Sequence, residues 1–108
     1  MSTRTHIDFS HPEIKPFLIG LQSSTRSKIG RLLDSLARHG YELGMPHAKA
    51  IGNGMMELHV RGTQEVRLLY VLNRETAIIL HAFVKKTDEI PRRDLETATR
   101  RMRLIDEL

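Results

Sequence analysis

The clearest apolar stripe in the chain lies in "SSTRSKIGRLLDSLARHG" (23–40), where Ile29, Leu32, Leu33 and Leu36 recur at helical spacing. The opposite side of that segment carries Arg26, Lys28, Arg31 and Arg38; Ser and Thr at its start can cap a helix, and Gly40 can end it. Upstream, Ile14, Phe17, Leu18 and Leu21 keep the same period, with Pro12 suited to a first turn and Pro16 demanding a kink or a late start. "YELGMPHAKAIGNG" (41–54) has no sustained period and reads as a loop. The pattern then changes to period two. Strands are predicted from Met55 to Arg61, Val66 to Asn73 and Thr76 to Lys85, joined by "GTQE" and "RE", short enough for an antiparallel meander. Consecutive Ile78, Ile79 and Leu80 mark the third strand as central or covered on both sides. Leu95, Ala98, Met102 and Ile105 form the stripe of a closing amphipathic helix, with Pro91 near its start. Together these elements predict one α+β domain over residues 1–108. An N-terminal helical hairpin packs on one face of a small twisted antiparallel sheet, and a C-terminal helix follows.

Composition narrows the function classes. With 108 residues, 40% of them hydrophobic and 28% charged, the chain can build one core. No apolar run approaches the roughly 18 residues of a membrane span, and "MSTRTHIDFSHPEIK" lacks the apolar centre of a secretory signal. Cysteine is absent, which removes disulfides and thiolate metal sites. A cytoplasmic protein without membrane contact is expected. Seventeen Lys and Arg against thirteen Asp and Glu, a net charge of +4, favour a polyanionic partner. The surplus is greatest from Lys85 to Arg103, where seven basic residues, Arg92 and Arg93 among them, face four acidic ones.

If helices cover one sheet face, period two decides what the other carries. Glu57, His59 and Arg61 share one side of the first strand, while Leu58 and Val60 share the other; Arg67 points away from the core on the second. Lys85 and Lys86 end the third strand, and Lys49 precedes the first. A buried mid-strand arginine implies a carboxylate partner or an anionic ligand, because alone it costs several kcal/mol. Glu57 lies within reach across the hairpin, so a cross-strand ion pair is the alternative account of these residues. The six histidines show neither HxH nor HExxH spacing, and no metal or other cofactor is expected. His81, between Leu80 and Ala82, reads as a hydrogen-bonded sheet residue; His59, among polar neighbours, is a candidate for proton transfer.

"GMMELHVRG", "VRLLYVL" and "IILHAFVKKTDEIPRRDLETATRRM" together resemble the HigB/RelE-type toxins of bacterial type II toxin–antitoxin systems, in particular their phage-derived branch. The resemblance spans Leu32 to about Arg103. It implies a metal-independent, ribosome-dependent mRNA endonuclease in which a 2′-OH attacks the adjacent phosphate. On that implication Arg67 and Lys86 stabilise the phosphate charge, and His59 or Glu57 serves as general base. Lys49, Arg61, Lys85, Arg92 and Arg93 contact the RNA. Implied partners are the ribosome, mRNA and a cognate helix-turn-helix antitoxin. Some relatives place a catalytic Tyr or His where this chain reads "IPRRD". That departure leaves room for a ParE-like toxin acting on a protein such as DNA gyrase, or for a plain RNA-binding module.

Overall fold

The computed structural model describes residues 4–106; the outermost residues of the predicted 1–108 domain lie outside that range. The chain runs through β1 (His6–Phe9), α1 (Ile14–Ile19), α2 (Ser23–His39), a single 3-10 turn, β2 (Ala48–Gly52), β3 (Met55–Val60), β4 (Val66–Asn73), β5 (Thr76–Val84) and α3 (Arg92–Asp106). The strands form one five-stranded sheet in the order β1-β5-β4-β3-β2.

This corrects the expected architecture. The sheet is mixed, because β1 runs parallel to β5 with Ile7 beside Ala77 and Phe9 beside Ile79, while the other pairings are antiparallel. A strand precedes the first helix, so the chain does not open on a helical hairpin laid over a small antiparallel sheet. The second addition is β2, which lies inside the segment read as a loop. Its turn was legible: Asn53 and Gly54 both adopt positive φ, 56° and 82°, the backbone of a tight hairpin that an Asn-Gly pair favours. The "AKAIG" strand itself escapes a pattern search because it is an exposed edge with only Ala48 buried.

The helices also divide between faces. On one side Ile14 and Leu18 of α1 and Ile29 and Leu36 of α2 pack with Leu58, Val60, Val66, Leu68, Tyr70 and Ile79. On the other, Ala98, Met102 and Ile105 of α3 meet Met55, Leu69, Val71, Leu80 and Phe83. Covered on both sides, β4 buries every residue from Val66 to Val71. A bulge in β5, where Leu69 pairs with His81 and Tyr70 with Ile79, leaves Leu80 without an opposite residue and brings His81 toward α3. There His81 Nε2 meets Asp94 Oδ1 at 2.6 Å, and Arg101 Nη1 donates to the Leu80 carbonyl at 2.9 Å.

Local chemistry explains the remaining boundaries. Pro16 falls in the first turn of the six-residue α1, where backbone N–H groups have no intrahelical acceptor. Neither serine begins α2 as a cap: Gln22 holds that position, and its N–H donates to the Gln64 side chain at 3.1 Å. Gly40 ends α2 at φ 50°, and a β-carbon there would sit 2.5 Å from Thr5 Oγ1. A glycine is required so that the N-terminal segment can lie against the helix end.

Leu36 is fully buried, whereas Ile19 is 60% exposed. Leu36→Ala should cost about 2–5 kcal/mol in urea unfolding, and Ile19→Ala no more than about 0.5 kcal/mol.

Candidate functional site

Strand register assembles the site. His59 lies opposite Arg67, which lies opposite Phe83; one step along, Lys49 pairs with Glu57, Glu57 with Leu69 and Leu69 with His81. Glu57, His59 and Arg67 therefore share the sheet face that α3 covers, toward the end α3 leaves uncovered. Lys49 enters from the edge strand and Lys85 from just past the end of β5.

Arg67 and Glu57 are both buried, with side chains 6% and 2% exposed, and Arg67 Nη1 donates to Glu57 Oε1 at 2.5 Å. The contact is diagonal, since Glu57 and Arg67 are not register partners. Lys49 Nζ stands 3.9 Å from the same carboxylate oxygen and remains half exposed. Arg67 Nε is buried with no hydrogen-bond partner among the described residues, as is His59 Nε2. Each is a polar group whose desolvation the protein leaves uncompensated.

These side chains line a small cleft of about 110 Å³ together with Met45, His47, Arg61 and Lys85. Its walls carry four cationic side chains, Lys49, Arg61, Arg67 and Lys85, against the single carboxylate of Glu57. An excess of positive charge remains even after the buried pair is counted. Burial is the main reason that His59 is held below its ordinary pKa of 6.5, with the positive charges of Arg67 and Arg61 acting in the same direction. The imidazole is therefore neutral at neutral pH and able to accept a proton.

Of the residues singled out from sequence, the cleft gathers Glu57, His59, Arg67, Lys49, Arg61 and Lys85. Lys86 is exposed outside it. Arg92 and Arg93 sit at the start of α3; Arg92 pairs with Glu96 at 2.9 Å and lines a separate depression along that helix. His47 was missed. It precedes β2 in the supposed loop, and its carbonyl accepts the His59 N–H at 2.8 Å, extending the ladder past the end of β2. Tyr70 belongs to the core on the opposite face, where burial pushes its phenol up to about 12. Among the described residues no cluster of three or more His, Asp or Glu is placed to hold a metal ion. No described helix is long and apolar enough to cross a membrane.

Removing one member of a buried pair strands the other charge. Arg67→Ala should destabilise by about 3–5 kcal/mol in urea titrations, and the double variant Glu57→Leu/Arg67→Met should recover most of that loss. His59 makes a second, pH-dependent difference. Its folded-state pKa lies below 6.5, so as pH falls through that value the unfolded chain takes up a proton that the folded chain refuses. Wild type should lose stability from pH 7.5 to about 5 more steeply than His59→Gln.

A family model matches residues 16–103. No curated protein matches the chain. The chain belongs to the phage-derived protein Gp49-like family (DUF891), a toxin-like family in the RelE- and HigB-related group.

Proposed function

We propose that the protein is the toxin of a type II toxin–antitoxin pair and acts as a HigB/RelE-type endoribonuclease on mRNA at the ribosome. The observation that carries this reading is the cleft itself. A neutral imidazole, His59, lies beside a buried guanidinium, Arg67, whose Nε has no partner among the described residues. Phosphoryl transfer from a ribose hydroxyl needs that pairing of a proton acceptor with a fixed cation.

In the proposed reaction His59 takes the proton of the 2′-OH, and O2′ attacks the adjacent phosphorus. The extra negative charge of the resulting phosphorane falls to Arg67, supported by Lys49 and Arg61. The bond from phosphorus to the 5′-oxygen then breaks, and an ammonium of the same cleft, Lys85, supplies the leaving oxygen with its proton. Products are a 2′,3′-cyclic phosphate and a free 5′-OH. Glu57 enters as a positioning residue: its hydrogen bond to Nη1 fixes the guanidinium in one orientation and balances part of its charge. Lys86, Arg92 and Arg93, outside the cleft, serve as contacts to neighbouring phosphates.

This assignment makes the protonation state of one residue decisive. Replacing a general base typically costs about 10²–10⁴-fold in rate. The antitoxin partner follows from the toxin reading, and a helix-turn-helix protein with an acidic segment suits the basic surface.

Primer extension on a defined mRNA in a reconstituted translation reaction tests the reading. Wild type should create new 5′ ends only when ribosomes are present, and His59→Gln should lower their yield by at least about 10²-fold. Arg67→Lys keeps a cation for Glu57 and should still lose about 10²–10³-fold, because one ammonium cannot replace the guanidinium fork. Unbroken mRNA with folded wild-type protein would discard the ribonuclease reading; filamentation and DNA-damage induction in cells would then favour a ParE-like action on gyrase.

A further inference from the structure

Beside the cationic cleft lies a second depression of about 370 Å³, a size typical of small-ligand sites, which span roughly 300–1,000 Å³. One wall is α2, from which Lys28, Arg31, Leu32 and Ser35 project at helical spacing. Pro46, His47, His59 and Arg61 line both cavities, so the two adjoin where β3 runs past the start of β2. The groove is braced at both lips. Lys28 Nζ donates to the Arg61 carbonyl at 2.8 Å, tying the helix to the end of the strand. On the other side the His59 N–H donates to the His47 carbonyl at 2.8 Å.

Its lining has two characters. Leu32, Pro46 and the imidazole of His47 offer apolar or flat surface, while Arg31, Arg61 and Lys28 add donors and positive charge. The buried Nε2 of His59, without a hydrogen-bond partner among the described residues, belongs to a residue that lines both cavities. Flat surface beside cations is what a nucleobase attached to a phosphodiester requires, because the base can stack while its phosphate is neutralised. A double helix would not fit a groove of this volume; a single splayed nucleotide would.

We infer that this groove is a nucleoside subsite, which holds the base and ribose of the nucleotide adjoining the phosphate bound in the cationic cleft. The inference rests on the ribonuclease reading above and deepens it, since it assigns base recognition to α2 and the His47 segment, apart from the cleavage residues. Arg31 and Ser35 become specificity residues, and His59 stands at the junction between the two halves of the substrate.

The test uses the same ribosome-dependent cleavage reaction, with mRNAs that carry either a base or an abasic ribose next to the scissile phosphate. Two variants are compared with wild type: Ser35→Tyr, which fills the groove, and Arg31→Ala, which alters an exposed helix position and leaves the core intact. Circular dichroism checks that each is folded. The abasic ribose should slow wild type about tenfold, the equivalent of one stacked base. Both variants should cut the intact mRNA about tenfold more slowly than wild type, and the abasic substitution should then add little. Wild-type rates in both folded variants, or a full abasic penalty that persists in them, would overturn the subsite while leaving the ribonuclease reading standing. An abasic mRNA cut by wild type as fast as the intact one would overturn it equally. Wild type that cuts neither mRNA would instead remove the ribonuclease reading, and this inference with it.

Discussion

Burying Arg67 on the central strand obliges the sheet to supply an acceptor, because a desolvated guanidinium without one costs several kcal/mol. Glu57 supplies it from the neighbouring strand, and the pair is then as enclosed as the leucines around it. Such a pair is an expensive way to stabilise a small domain, since well-packed apolar side chains would do as well or better. What it provides is a cation held in one place. Lys49, by contrast, approaches the same carboxylate from an exposed edge strand.

The same constraint shapes the layers around it. A sheet with a fully covered centre needs helices on both faces, and α3 completes the second one through Ala98, Met102 and Ile105. Its coverage is partial. Polar attachments through His81–Asp94 and the Arg101 bond to Leu80 fix α3 over the β5 side of the sheet, and Arg101 also pairs with Glu13 across from α1. The β2–β3 side keeps its opening, and there the ladder past β2 is continued by a loop carbonyl, that of His47. Coverage at one end and exposure at the other turn a packed sheet into a floor with walls.

For the chemistry, the consequence is a separation of roles along one strand pair. Burial and two arginines depress the pKa of His59, which keeps the imidazole neutral, the form that has a lone pair free to take a proton. Arg67, in nearly the same surroundings, is met directly by a carboxylate. A neutral base and a fixed cation thus stand side by side in a basic chain of a toxin-like family.

The residues alone determined much of this. Period-two alternation located β3, β4 and β5 to within a residue, and a mid-strand arginine announced that its face was not an ordinary core. The stripe of Ile29 and Leu36 and that of Ala98 and Met102 located the two long helices. Local pattern could not supply β1, whose parallel pairing with β5 joins segments some seventy residues apart and depends on backbone groups, not on side-chain period. Nor could it tell which charged residues converge. Lys49, Glu57 and Arg67 meet because the β2–β3 turn and the β3–β4 register align them, whereas Arg92 and Arg93, equally basic in sequence, are carried off on α3. Periodicity reports which side of its own element a residue occupies; only tertiary packing decides which sides face one another, and the site is made of those facings.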